Sequence, residues 1–303
     1  IHRPETSHLD GEAQATTRST SIARYLVAMR PLAVEWLSSA SWRGLSESPP
    51  MVALSCSGLV KAFGSKRAVD GVDLAVPQGS FYGLAGPNGA GKTTAIRMVT
   101  GLLKPDAGSA VVDGVQVWPD PLEAKRRLGF VPDNPVLFDR LTGPEMLEYA
   151  GLLRGMDADV IAQRSSELIR VLDLEDAAGK MIADYSLGMT KRIGLAVALL
   201  HSPAVLVLDE PFGSLDPVNT QVMEEMLQRY RSGGGTVVFS SHVMDVVERL
   251  CDRVAIIQDG RLRAEGTVAE LSGGRSLQDA FVDLVGGRDL QEGELSWLAS
   301  SSG

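Results

Sequence analysis

Gly86-Pro87-Asn88-Gly89-Ala90-Gly91-Lys92-Thr93-Thr94 satisfies the pattern G-x-x-x-x-G-K-[ST], and the residues around it decide how the chain is read. Phe81–Ala85, just upstream, is a short apolar run that predicts a strand. Lys92–Thr100, just downstream, predicts a helix. A strand, a glycine-rich turn and a helix in that order are the context the pattern requires. The glycines let backbone N–H groups turn toward phosphate oxygens with no Cβ in the way. The helix that follows offers its partly positive N-terminus. Lys92 would set an ammonium on the β- and γ-phosphates, and the Thr93 hydroxyl would complete a Mg²⁺ shell otherwise made of phosphate and water oxygens. A chance glycine-rich loop is the bland alternative, and the flanking strand and helix weigh against it.

More than a hundred residues downstream, Ala204-Val205-Leu206-Val207-Leu208-Asp209-Glu210 is a continuous apolar run ending in two carboxylates. The run fits a strand buried on both faces of a parallel sheet. Behind a phosphate loop, the first acid, Asp209, reads as the metal-side residue and the second, Glu210, as the base for an attacking water. Alone, such a strand end is often only an acidic turn meeting solvent. Between the two motifs lies Tyr185-Ser186-Leu187-Gly188-Met189-Thr190-Lys191-Arg192. Ser-x-Gly at a helix start can bind an anion, although by itself it is an ordinary N-cap. Ser214-Leu215-Asp216-Pro217 reads as a turn or helix start, and Ser240-Ser241-His242 closes another apolar strand. A lone His at a strand end is more often solvated than catalytic.

Other segments continue the alternation of strand and helix. Val52–Leu59, Val69–Val76, Thr236–Ser240 and the pair Val254–Gln258 and Arg261–Glu265 predict strands. Asp113-Gly114, between Val111-Val112 and Val115–Val117, predicts a hairpin turn. Pro144–Leu153, Val160–Leu172, Gly188–Leu200, Val218–Tyr230 and Val243–Leu250 predict helices. This alternation points to crossover units around a parallel sheet. The chain has 303 residues, 29 Lys+Arg against 38 Asp+Glu and a net charge of −9, an acid excess that argues against phosphate-driven nucleic-acid binding. Its two cysteines, Cys56 and Cys251, make neither a disulfide framework nor a zinc site. No apolar run reaches the roughly 18 residues of a membrane span. Residues 1–50 balance five Arg with five acids, are rich in Ser and Thr, and end in Ser48-Pro49-Pro50. They read as a disordered or weakly helical leader, with Met51 close to a natural start. Residues 272–303 read as a Gly/Ser-rich tail with one short helix around Leu277–Val285.

Taken together and in order, these motifs resemble the ATP-binding subunit of ABC transporters over roughly residues 51–271. Gly86–Thr94 matches that family's Walker A motif and Leu206–Glu210 its Walker B motif with the catalytic glutamate. Tyr185–Met189 resembles its Leu-Ser-Gly-Gly-Gln signature, keeping Ser186 and Gly188 but carrying Leu187 and Met189 where Gly and Gln are usual. Ser214–Asp216 matches the D-loop, His242 the H-loop, and Phe63 the aromatic that stacks on adenine. Asp133 follows Leu128-Gly129-Phe130-Val131-Pro132 where the family's Q-loop usually has Gln. A carboxylate there can contact Mg²⁺ or water but cannot donate a hydrogen bond. The Ser-x-Gly-Met form is similar to the subgroup whose ATPase chains work with separate ABC-2-type membrane chains, mostly in export.

The resemblance implies a P-loop NTPase fold of the α/β class with a mostly parallel sheet. It also implies an antiparallel β subdomain at 51–80 and 108–120 and a helical subdomain at about 134–187. It implies ATP and Mg²⁺ as ligands, with Gly86, Pro87, Asn88, Gly89, Ala90, Gly91, Lys92, Thr93 and Thr94 around the phosphates. Phe63, Asp133, Ser186, Gly188 and Asp216 would complete the nucleotide site. Thr93, Asp209 and Asp133 would face the metal, and Glu210 and His242 would serve hydrolysis. The implied partners are a polytopic membrane chain and a second ATPase chain, self or paralogous, in a nucleotide-sandwich dimer, with no nucleic acid. The implied place is the cytoplasmic face of the cell membrane. Two alternatives are a soluble ABC ATPase of the translation, repair or chromosome type and a small-molecule kinase. One cassette without coiled coils speaks against the first, and the Ser-x-Gly and His242 elements have no role in the second.

Overall fold

The computed structural model describes residues 51–213 and 215–286. The leader expected at 1–50, the end of the tail beyond 286, and Ser214 lie outside the described residues.

Strand β1 (Val52–Phe63) turns back through Gly64-Ser65 into β2 (Lys66–Pro77), and the two pair antiparallel. Strand β3 (Phe81–Ala85) leads through the glycine loop into α1 (Lys92–Val99). Strand β4 (Ala107–Val112) and the short β5 (Val115–Gln116) form a hairpin whose Val112–Val115 pair encloses Asp113-Gly114. Both turn residues have positive φ, +46° and +77°, as a type I′ turn requires. Helix α2 (Leu122–Arg127) feeds β6 (Leu128–Val131). Helices α3 (Gly143–Leu153) and α4 (Ala158–Val171) follow, then α5 (Leu187–Leu199). Next come β7 (Val205–Asp209), α6 (Pro217–Ser232), β8 (Thr236–Ser241) and α7 (Met244–Leu250). The order closes with β9 (Arg253–Gln258), β10 (Arg261–Thr267), α8 (Val268–Ser272) and α9 (Leu277–Val285).

Two sheets result. One is antiparallel, in the order β2-β1-β4-β5. The other runs β10-β9-β3-β8-β7-β6, parallel throughout except for β10 at its edge. The period-two alternation of strand side chains divides the interior into two cores. Phe81 and Ala85, Leu206 and Leu208, Val237 and Phe239 face one side, where they pack with α3 to α7. Tyr82 and Leu84, Val205 and Val207, Ala255 and Ile257 face the other, against α1 and the antiparallel sheet. Every residue of β3, β7 and β8 is buried, which explains the apolar stretches Phe81–Ala85, Val205–Leu208 and Val237–Phe239.

Helix starts are set by local hydrogen bonds. Thr142 and Glu145 form a capping box on α3, Asp157 caps α4, Ser186 caps α5, and Asp216 caps α6 with Pro217 following. Helices α2 and α8 are additions to the elements the sequence predicts; each is short and buries a single residue, Ala124 or Ser272. Both cysteines are free, and burial raises both thiols, Cys56 to about 12. No helix among the described residues is long and apolar enough to cross a membrane.

Candidate functional site

The carboxyl ends of the parallel strands bring the motif residues together, the usual ligand crevice of an open α/β sheet. Strand β3 pairs with β8 and β9, and β8 pairs with β7, with Asp209 level with Ser240 and Ala85 level with Ser241. The glycine loop, Glu210 and His242 therefore leave adjacent strand ends.

The loop fits because it is made of glycine where the backbone is tight. A Cβ on Gly91, whose φ is +109°, would lie 2.3 Å from the Ala68 carbonyl oxygen. One on Gly86 would lie 2.2 Å from the Ile257 carbonyl oxygen. Gly91 begins α1, and no side chain caps that N-terminus. Its first amides point out of the helix without intrahelical partners, as an anion site needs. Lys92 is 6% exposed and folds back over the loop. Its Nζ donates to the Gly86 oxygen at 2.6 Å and the Pro87 oxygen at 3.3 Å, and lies 3.4 Å from Glu210 Oε1.

Asp209 is 3% exposed. Its Oδ1 accepts from Thr93 Oγ1 at 3.2 Å and from Ser240 Oγ at 2.6 Å. Ser240 Oγ also accepts from the Glu210 N–H at 3.0 Å, so one buried hydroxyl fixes both acids. Glu210 has a φ of +46°, the left-handed region that side chains larger than Asn or Asp rarely enter. Its Oε2 lies 3.0 Å from His242 Nδ1. Lys92, Glu210 and His242 thus form one line of contacts, and Thr93, Asp209 and Ser240 a second beside it.

The remaining candidates sit in two further groups. Asp133, after β6, faces Lys191 of α5, with Oδ1 3.6 Å from Nζ. Lys191 is 2% exposed and donates to the Glu210 and Gly213 carbonyl oxygens at 3.1 and 2.8 Å. Ser186 Oγ accepts from the Met189 N–H at 3.2 Å, the N-cap geometry its sequence context predicts. A Cβ on Gly188 would come within 2.9 Å of Asn219 Nδ2, and Asn219 in turn donates to Asp216. The Asn219 and Val218 N–H groups also bond Asp216, and these bonds, the Asn219 amide first, hold its carboxyl below the usual range. Among the described residues no hydrogen bond or ion pair joins Ser186 or Gly188 to Lys92, Thr93 or Asp209. Phe63, at the end of β1, is 54% exposed, with Lys61 Nζ 6.0 Å from its ring centre.

Ser240, Lys191 and Asn219 are absent from the sequence-derived candidates. The available signals were a hydroxyl two residues before His242 and a lysine inside an apolar helix. For a metal, no cluster of three or more His, Cys, Asp or Glu among the described residues could hold one alone. Thr93 Oγ1 beside Asp209 Oδ1 is a two-oxygen set that suits Mg²⁺ when phosphate oxygens fill the other positions.

A family model described as ABC transporter matches residues 69–213. The daunorubicin/doxorubicin resistance ATP-binding protein DrrA of Streptomyces peucetius is 40% identical over 73% of this chain and 67% of its own length. The linearmycin resistance ATP-binding protein LnrL of Bacillus subtilis is 36% identical over 72% and 70%. A solved ATP-binding subunit of an ABC transporter superposes with a TM-score of 0.72 at 29% identity, covering 77% of this chain and 99% of its own. A dimeric ATP-binding cassette in a post-hydrolysis state with ADP and Pi has a TM-score of 0.65 at 24% identity, covering 71% and 98%.

Proposed function

The chain belongs to the ABC transporter ATP-binding family, and on that premise we propose that it is the motor subunit of an exporter whose membrane-spanning part is a separate chain. Binding and hydrolysis of ATP are the family's activity. The observation that carries the chemistry is the line Lys92–Glu210–His242 beside Thr93–Asp209.

In this account the α1 N-terminus and the loop amides of Gly86–Thr94 hold the phosphates, and Lys92 turns from the Gly86 carbonyl to the γ-phosphate. Thr93 and Asp209 would hold Mg²⁺, which would offset phosphate charge. Asp133, the third residue the sequence offered for the metal, faces Lys191. Glu210 accepts a proton from the attacking water, and His242 holds the Glu210 carboxylate and faces the γ-phosphate. Phe63 offers an exposed ring for the adenine to stack on. Ser186 and Gly188 lie outside this cluster and act on the nucleotide held by a second ATPase chain, with Asp216 at the interface. The γ-phosphate then joins the two chains, and hydrolysis removes the join. That differential contact is what a ligand-driven switch needs.

Residues 51–271 form the ATPase domain in this account, and the helical stretch at about 134–187 meets the membrane chain. Val136, Phe138, Leu152 and Leu153 are exposed there, and Phe138 packs edge-on against Tyr149 at 5.0 Å. Exposed apolar side chains of this kind suit a docked apolar partner better than water. We assign the partner to the ABC-2 type, the place to the inner face of the cell membrane, and the cargo to the small antibiotic-like compounds that the relatives' names specify. The test is capture of tagged Glu210→Gln protein with ATP from detergent-solubilised native membranes. Recovery of one polytopic chain with about six spans supports the account. Recovery of only ribosomal or repair proteins would move the chain to the soluble class.

A further inference from the structure

Given the ATP-hydrolase reading of this site, on which the inference rests, we propose that Lys191 is a positioning residue for Glu210 and that Asp133 is its counter-ion rather than a metal ligand. Lys191 lies on the buried face of α5, five residues past Ser186, and is 2% exposed. An ammonium so far from water needs oxygen partners for its charge and its three donors. It has three: Glu210 O at 3.1 Å, Gly213 O at 2.8 Å and Asp133 Oδ1 at 3.6 Å. Two of them bracket the tight turn after β7, which is also closed by the Gly213 N–H on Glu210 O at 3.2 Å.

This turn has a reason to need clamping. Five non-glycine residues among those described have positive φ, and four of them are Asp or Ser, whose short side chains tolerate it. The fifth is Glu210 at +46°. A strained conformation persists only where the surroundings determine it from several sides. Ser240 takes the Glu210 N–H, Lys191 takes the Glu210 carbonyl, and the carboxylate is left free to face Lys92 and His242. Lys191 therefore fixes where the carboxylate points without touching it.

Asp133 completes the arrangement. The two carbonyls are neutral, and among the described residues Asp133 is the one carboxylate placed against Nζ. Its side chain is half exposed at the surface end of the pair. The loop after β6 is thereby connected to Glu210 through a single side chain. The same contact explains why an acid can stand where the family's usual amide is missing: a lysine on α5 needs a negative partner, not a hydrogen-bond donor.

The test uses the full chain with the substitutions Lys191→Met, Asp133→Asn, both together, and Lys191→Arg. Steady-state ATP hydrolysis, ATP affinity by calorimetry and the Mg²⁺ concentration for half-maximal rate are measured for each. Lys191→Met should lower kcat by roughly tenfold or more while ATP affinity changes by less than about twofold. Lys191→Arg, which keeps the charge and the donors, should lose less. Asp133→Asn should lower kcat with no shift in the Mg²⁺ midpoint, and should add nothing in the Lys191→Met background. A wild-type rate in Lys191→Met overturns the assignment. So does a full additional loss in the double variant, or a raised Mg²⁺ midpoint in Asp133→Asn, which would make Asp133 a metal ligand. If Lys191→Met does not fold, Asp133→Asn alone decides through the same kcat and Mg²⁺ readings. A wild-type chain that binds ATP without hydrolysing it would overturn the hydrolase reading as well, which separates the two failures.

Discussion

Replacing Ser240 by alanine removes one hydroxyl from between the two acids of the site. The hydroxyl is fully buried and makes two bonds, donating to Asp209 Oδ1 at 2.6 Å and accepting from the Glu210 N–H at 3.0 Å. A hydrogen bond to a charged group contributes about 1.5–3 kcal/mol, and a buried N–H left without a partner costs about 1–3 kcal/mol. Thr93 still bonds Asp209, and Glu210 lies near the crevice, where water can replace part of the loss. About 2–4 kcal/mol is the net expected. A domain of this size loses roughly 2–4 °C of Tm per kcal/mol, so Ser240→Ala should melt about 4–16 °C below wild type and remain folded at room temperature. Ser241→Ala is the control. Its hydroxyl accepts from the Val243 N–H at 3.0 Å and touches neither acid, so its loss should be near 1 kcal/mol. Thermal unfolding by calorimetry reads both, and ATP turnover in the folded range should fall only in Ser240→Ala. Melting of Ser240→Ala within about 2 °C of wild type, or a larger effect from Ser241→Ala, would refute the reasoning.

Two other perturbations separate stability from assembly. Gly188→Ala puts a methyl within 2.9–3.2 Å of the Asn219 side chain, which the Asp216 bond keeps from swinging aside. The overpacking cost, about 1–3 kcal/mol, is partly offset by the gain of about 1 kcal/mol from replacing a helical glycine, so Tm should fall by no more than about 8 °C. ATP-dependent dimerisation should weaken, and an undiminished dimer in light scattering would count against the role given to Gly188. His201 supplies a pH test. Its Nε2 donates to the Leu128 oxygen at 3.1 Å, and burial first, then the Arg154 charge, lowers the imidazole from 6.5 to about 4. Between those values the unfolded chain binds a proton that the folded chain refuses. The stability this residue contributes is therefore full above pH 6.5 and is lost as pH falls toward 4. His201→Gln should flatten the fall of Tm between pH 7 and 4.5, and parallel curves for the two proteins would contradict the assignment.

The site was legible where one residue type has one purpose. The glycine loop, Asp209-Glu210 and His242 could be read because strand, turn and helix signals flank them. The strands β3, β7 and β8 were legible because burial on both faces gives each an apolar run, Phe81–Ala85, Val205–Leu208 and Val237–Phe239, with the polar residues at the strand ends. The Asp113-Gly114 hairpin was legible because few residue pairs tolerate two positive φ angles in succession. Helix α2 was not, because Leu-Glu-Ala-Lys-Arg-Arg buries only Ala124 and has no apolar stripe to detect. Ser240 and Lys191 act on residues 19–31 positions away in sequence, so the faint signals in their own segments do not show what they touch. Asn219 bonds nearby Asp216, but its contact with Gly188 is visible only in the fold. Lys191 is the sharpest case. In sequence it is a charge in a helix, and only the packing of α5 against the turn after β7 shows that its ammonium meets backbone oxygens there.

The account turns on an ATP that joins two chains until Glu210 lets it be hydrolysed. The most direct measurement is the light-scattering mass of the Glu210→Gln protein with and without MgATP. The predicted result is a species of twice the chain mass that appears only with ATP, persists, and is lost when Lys92→Ala is added. A Glu210→Gln protein that stays at one chain mass with saturating ATP, or that turns ATP over at the wild-type rate, would contradict it.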